Sequence, residues 1–368
     1  MMNDGCNGMM GSNDMNAPSA RPHYMDSAGK MQTSNGWIFD VEPFYWQSHL
    51  DDAEVAVSNE AFTTGSSPTT ASRFTDATYE HLKFKWDAGV KVGVGGYFDH
   101  DEWDVFVQWT HFHNNAHKNI NNTLSSPTPA TLFTTWSALE VDTLAGNLTA
   151  QGVDADWSLN LDLLDAELGR MFFAGKWLTV RPHVGLRGGW IRQKFNIDYL
   201  NLSGAGGTTT AITTEDINMK NKFTGLGVRA GVDTEWHSGC GWCLYGNGAV
   251  SILYGFYKNT QSETMGPDEF ATPSTIILGT TDSFRDSKAI TDLALGICYS
   301  PEISCMCPST RFTISLGWEH HMFFNQFQLK RVATENPSAT PGTNYTTYVR
   351  EPSDLSTQGW TLGLMLDY

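Results

Sequence analysis

The stretch LKFKWDAGVKVGVGGYF, residues 82–98, decides the fold. Leu82, Phe84, Trp86, Ala88, Val90, Val92, Val94, Gly96 and Phe98 fall on one face of an extended chain. Lys83, Lys85, Asp87, Gly89, Lys91, Gly93, Gly95 and Tyr97 fall on the other. Successive side chains of a strand point to opposite sides, so this is a strand with one oily face and one wet face. It is far longer than the ~5–6 residues usual in globular sheets. A strand that crosses a bilayer, by contrast, needs about 9–11 residues with its apolar side turned to lipid.

Segments of the same kind recur at 37–48, 82–98, 103–113, 157–172, 177–194, 223–236, 242–257, 289–299, 312–323 and 360–368, ten in all. An even number is what a single-chain bacterial barrel requires. Long connections (49–81, 114–156, 195–222, 258–288, 324–359) alternate with short ones (99–102, 173–176, 237–241, 300–311). Outer-membrane barrels have this asymmetry, with long loops outside and short turns in the periplasm. The expected architecture is therefore all-β. It is a transmembrane antiparallel up-and-down barrel of about ten strands, with both ends periplasmic and five long external loops. A hairpin inside 114–156 would raise the count to twelve. Residues 1–35, rich in Met, Asn, Gly and Ser, read as a flexible periplasmic leader, and 36–368 as the barrel. The leader has no apolar core of a secretory signal, so the numbering is expected to start after such a signal has been removed.

Composition agrees. Only 17% of residues are charged, with 35 Gly, 13 Trp, 12 Tyr and 20 Phe, and no run approaches the ~20 apolar residues of a membrane helix. A net charge of -17 argues against nucleic acid as a partner. Aromatics sit at the strand ends, as interfacial belts do. The periplasmic set is Trp37, Phe98, Trp103, Phe172, Trp177, Trp236, Trp242, Tyr299, Phe312 and Tyr368. The external set is Tyr45, Phe84, Trp109, Trp157, Trp190, Phe223, Tyr254, Trp318 and Trp360. The fourth strand breaks phase: Trp157, Leu159, Leu161 and Leu163 share a face, while Leu164, Ala166 and Leu168 continue on the other. A β-bulge near Leu163 would re-phase it.

The inward faces carry charge. Lys83, Lys85 and Lys91 come from the second strand, Asp162, Asp165 and Glu167 from the fourth, Arg181, His183 and Arg187 from the fifth, and Arg229 from the sixth. These are the candidate pore-lining residues. Charged walls bias permeant ions, but the same groups can pair across strands and satisfy one another. A ten-stranded barrel is narrow, since side chains already fill an eight-stranded one. A narrow, weakly conducting channel is expected.

The cysteines Cys6, Cys240, Cys243, Cys298, Cys305 and Cys307 all fall on the periplasmic side of this topology. The periplasm is oxidising, so disulfides are expected, either stapling neighbouring turns or linking neighbouring proteins. His111, His113 and His117, and the pair His320 and His321, lie at external strand ends, where a metal site is not expected. No Ser–His or Asp–His spacing singles out a catalytic set, so neither an enzyme nor a cofactor is expected.

Several stretches resemble a known family. They are EPFYWQSHLDD (42–52), WDAGVKVGVGGYFDHDEWDVFVQWT (86–110), LLDAELGRMFFAGKWLTVRPHVGLRGGWI (163–191), GLGVRAGVDTEW (225–236) and TISLGWEHHMFFNQ (313–326). They are similar to the Legionella-type major outer membrane proteins, pore-forming barrels also found in chlamydia-like bacteria. The likeness implies an outer-membrane location and a pore or surface role. Envelopes of the chlamydia-like kind resemble the case in which disulfides cross-link neighbouring proteins. The last residues also resemble the common ending of outer-membrane barrels, through Thr361, Gly363, Leu366 and Tyr368. That ending implies a signal to the barrel-assembly machinery. The expected function is passage of ions or small polar solutes through a narrow charged lumen. An adhesin or coat role for the long loops, with a plugged lumen, is the alternative. Expected partners are outer-membrane lipid, the assembly machinery and other envelope proteins.

Overall fold

The computed structural model describes residues 36–59, 77–98, 103–121, 131–138, 148–175, 177–204, 212–266, 275–300, 311–335, 345–350 and 352–367, and among these there is no helix. Ten antiparallel strands form the wall: β1 (Trp37–Leu50), β2 (Trp86–Tyr97), β3 (Trp103–Asn121), β4 (Gly152–Arg170), β5 (Leu178–Gly204), β6 (Ile212–Gly239), β7 (Trp242–Met265), β8 (Thr275–Tyr299), β9 (Arg311–Phe327) and β10 (Ser353–Asp367). Each pairs with its sequence neighbour, and β10 returns to β1 through Ile38↔Asp367 and Val41↔Leu364. The sheet is thus closed, which removes the edges that a membrane does not tolerate.

The lipid-facing band can be read from β5. Its outward side chains Val184, Leu186 and Trp190 are exposed, and Trp177 marks the periplasmic end. Leu178 to Trp190 spans about 30 Å along the membrane normal at ~3.3 Å per residue and ~40° tilt, which matches a bilayer core. The strand then continues from Trp190 to Gly204, roughly 35 Å further on the same geometry. Strands β3 to β8 therefore stand well above the membrane as a crown, where the sequence pattern had suggested loops.

Polarity inverts where a strand leaves the bilayer. Inside it, apolar side chains face out and polar ones face in. In the crown, Arg192, Lys194, Asn196 and Asp198 face out, while Ile191, Phe195, Ile197 and Tyr199 are buried within. This inversion corrects the expected bulge in β4. Its register with β3 runs without interruption from Asn121↔Gly152 to Trp103↔Arg170. Trp157, Leu159, Leu161 and Leu163 simply point into the lumen of the crown, and Leu164 and Leu168 point to lipid below. Trp157, Phe223 and Phe84 accordingly leave the proposed external belt and turn inward. The phase change lies before β2 instead. Lys83↔His117 and Phe84↔Ala116 are followed by Gly89↔Phe112, a slip of one residue around Lys85.

Among its described residues, the 114–156 connection adds no barrel strand. Its segments Thr131–Thr134 and Leu148–Ala150 pair with each other, with Glu54–Asn59 and with the tip of β5, forming a small sheet whose Val55, Ala56, Leu132 and Ala150 join the core that fills the lumen. A second hairpin, Lys330–Glu335 with Tyr345–Arg350, forms its own two-stranded sheet and is tied to β8 by Lys330 and Asp282 at 2.6 Å.

Candidate functional site: a charged lumen beneath an apolar seal

Within the membrane the lumen is crossed by one network of charged side chains. Lys91 on β2 reaches across to Glu319 on β9 at 2.5 Å and also pairs with Glu42 at 3.1 Å. His321 bridges Glu319 (3.1 Å) and Asp292 on β8 (2.8 Å). Asp292 receives Arg187 at 2.7 Å and also Arg229. The Arg187 guanidinium grips both oxygens of Asp165, at 2.6 and 2.7 Å. Arg229 donates to Glu167 at 2.8 Å, and Arg181 joins Asp104 (2.9 Å) to Asp233 (2.8 Å). His183 stands 3.3 Å from Asp233. Burying these charges is tolerable because each has a partner, and the forked guanidinium groups satisfy two carboxylates at once. Glycine makes room for them: a Cβ on Gly169 would lie 2.5 Å from the Arg181 guanidinium. Between the charged groups is a cavity of about 170 Å³, lined among others by Asp40, Glu42, Lys91, Asp233 and Glu319.

The structure thus joins Lys91, Asp165, Glu167, Arg181, His183, Arg187 and Arg229 in one network. It separates the other three expected pore residues. Lys83 and Lys85 are exposed at the outer rim, because the slip near Lys85 sends Leu82 and Phe84 inward in their place. Asp162 faces outward on β4, where it meets His111 at 2.8 Å. Sequence reasoning missed the acids Asp104, Asp233, Asp292 and Glu319 and the bridging His321. Their inward parity was legible, but which cation each would meet across the lumen depends on closure of the wall.

Above the network the lumen is filled. Phe44 and Trp46, Phe112, Trp157, Leu159, Leu161 and Leu163, Ile191 and Phe195, Met219 and Phe223, Leu253 and Tyr257, Ile290, Phe323 and Leu355 form one contiguous core, all under 5% exposed. Every wall strand but β2 contributes, and Phe84 packs against the core just ahead of that strand. A loop is stitched into its top. Trp136 packs edge-on against Phe195 and Phe327, and Arg331 lies over its ring at 4.5 Å. The Trp136 indole donates to the Glu54 carbonyl at 2.8 Å. The Ser137 hydroxyl donates to Glu215 (2.8 Å) and the Ala138 amide to Glu263 (3.0 Å). Glu215 and Glu263 are fully buried in the crown. Burial, with Glu263 nearby, pushes the Glu215 carboxyl up to about 8.

Cys243 and Cys298 sit opposite each other on β7 and β8 and form a disulfide inside the periplasmic mouth, with a Cα–Cα distance of 5.0 Å. The Glu235 carboxylate lies 3.3 Å from the Cys298 sulfur. Cys240 is also disulfide-bonded. Cys6, Cys305 and Cys307 lie outside the described residues. The first-named pair staples neighbouring strands of one chain. Of the histidines, His111 pairs with Asp162 and His113 with Asn160 on the outer wall, and His117 lies 2.9 Å from Asp156 and 3.5 Å from Asp154. In the closing strand, Thr361 and Gly363 face the lumen and Leu366 the lipid; Tyr368 lies outside the described residues.

Among solved structures, the chain is similar to the outer membrane protease OmpT of Escherichia coli, at 10% identity, covering 90% of this chain and 96% of that one, with a TM-score of 0.38. It is also similar to a FadL homologue of Pseudomonas aeruginosa (9% identity, 91% and 90% covered, TM-score 0.28). A third is Ail of Yersinia pestis (10% identity, 90% and 99% covered, TM-score 0.22). At these scores the likeness says nothing about function. No curated protein matches by sequence. The family described as Legionella pneumophila major outer membrane protein precursor, however, matches residues 31–368, nearly the whole chain. With the closed barrel, its apolar band and its aromatic belts, this chain belongs to that family of bacterial outer-membrane proteins.

Proposed function

We propose that this barrel is sealed, and that it serves the envelope as a membrane anchor for an extracellular crown. One observation carries the reading: the contiguous apolar core closes the lumen just above the charged network. Ions do not cross several layers of close-packed aromatic and aliphatic side chains, because nothing there replaces their water. The crown, the small sheet at its tip and the polar loops are then the working surface, an adhesin or coat role. No catalytic step is assigned. The partners are outer-membrane lipid, the assembly machinery that receives the closing strand, and other envelope proteins.

Planar-bilayer recording of the purified protein tests this. Wild type should give no regular conductance steps. Regular steps at low voltage would overturn the seal and favour a second reading, a narrow pore for ions or small polar solutes. That second reading draws on the charged cavity of about 170 Å³ below the core. It requires the seal to part.

A further inference from the structure

On the outer wall of β5 to β8, the hydrogen-bonded rows change character in order. The row Trp190–Thr224–Phe256–Arg285 ends the apolar band. The next row outward is Arg192–Lys222–Lys258–Ser283, and the one after it is Lys194–Lys220–Thr260–Thr281. A neutral row follows, Asn196–Asn218–Ser262, and only then acids, Asp198 beside Asp216. Arg192, Lys194, Lys220, Lys222, Lys258 and Arg285 all point away from the lumen and are exposed. Among the described residues none of them forms an ion pair, whereas the lumen cations all do. Like charges placed directly opposite each other on adjacent strands repel. The chain has 40 acids to 23 Lys and Arg, so a patch of unpaired cations is not a by-product of its composition.

Directly beneath the patch is a groove of about 530 Å³ in the lipid-facing surface. Gly188 leaves its floor without a side chain, and Leu186, Trp190, Leu226, Tyr254 and Phe256 wall it. Arg285 belongs to both features: it lines the groove and lies over the Phe256 ring at 4.4 Å. Cations at headgroup height with an apolar slot below them fit one kind of molecule, an acylated lipid carrying phosphate.

We propose that the outer wall of β5 to β8 is a binding site for a phosphorylated lipid of the outer leaflet. Its phosphate is held by Arg192, Lys220, Lys222, Lys258 and Arg285, and one acyl chain lies in the groove over Gly188. Multidentate Arg and Lys contacts to phosphate relieve the repulsion between the paired rows, which makes the lipid a structural partner of the crown base.

Native mass spectrometry of the purified barrel tests this, with a bisphosphorylated acylated glucosamine lipid as probe and inorganic pyrophosphate as the soluble comparison. The triple variant K220Q/K222Q/K258Q should weaken lipid binding by about a hundredfold. K83Q/K85Q, which removes exposed cations elsewhere on the rim, should leave it unchanged. G188L, which fills the groove, should weaken the lipid but not pyrophosphate. Should the triple variant fail to assemble, K222Q alone, and the salt dependence of wild-type binding, carry the same comparison. Equal affinity in wild type and the β6–β7 variants overturns the site. Equal losses in both lysine sets, or pyrophosphate binding as tightly as the lipid, would reduce it to general surface charge and overturn it as well.

Discussion

Two buried residues concentrate the physics of the lumen. Arg187 is the shared partner of Asp165 and Asp292, each of them nearly inaccessible to water. Replacing it by Met leaves two buried carboxylates with less compensation, and breaking such a pair costs about 3–5 kcal/mol. Arg187→Met should lower the urea midpoint of the assembled barrel, and adding Asp165→Asn should restore part of the loss. If the double variant is no more stable than the single one, the pairing does not hold the wall. Glu215 in the crown works in the opposite sense. Its carboxyl holds a proton up to about 8, above its ordinary value near 4.5, because it is buried and Glu263 lies close. A raised carboxyl favours the closed crown fully below the ordinary value, and that contribution is lost as pH rises through about 8. The segment Thr131–Ala138 should therefore become more open to protease between pH 5 and pH 9. Glu215→Gln should flatten that trend; a trend that persists in the variant would assign the pH response to another group.

At the scale of elements, β4 shows what the sequence could and could not say. The alternation, the number of strands and the closing pair β1–β10 were all legible, because period two survives any environment. The face of Trp157 to Leu163 was not, because apolar was equated with lipid. Above the bilayer that equation reverses: water lies outside the wall and packed side chains lie within. The ladder His111–Asp162, His113–Asn160 and His117–Asp156 on β3 and β4 is the outward counterpart of this reversal. It follows that Trp157→Ala should destabilise the barrel by about 3–5 kcal/mol, as loss of a core aromatic does. Leu164→Ala, whose side chain meets lipid, should cost far less when measured in bilayers. Comparable costs at the two positions would mean that β4 is bulged after all. The staple between β7 and β8 was half legible: the oxidising side of the membrane follows from topology, but the pairing of Cys243 with Cys298 needed the register that sets them opposite each other.

For the molecule as a whole, the membrane band and the crown fix both orientation and height. The belt from Trp177 to Trp190 on β5 sets the bilayer, and everything on that strand beyond Arg192 stands in external water. Single cysteines introduced at outward positions read this directly. Asn196→Cys, in the crown, should react with a membrane-impermeant maleimide on intact cells. Val184→Cys, in the lipid band, should not react before or after permeabilisation. Ser238→Cys, beside the β6–β7 turn, should react only once the outer membrane is opened. The native cysteines among the described residues lie on the periplasmic side, so they stay silent on intact cells. Labelling of Ser238→Cys on intact cells would invert the topology, and with it the assignment of the apolar core to the external half of the lumen. Protection of Asn196→Cys would place the bilayer some 15–20 Å higher along β5, on about 3.3 Å per residue. The basic rows would then lie in hydrocarbon without a partner, an arrangement their charge forbids. The two outcomes together decide whether a barrel closed at its outer end can stand as high above the membrane as its polarity pattern requires.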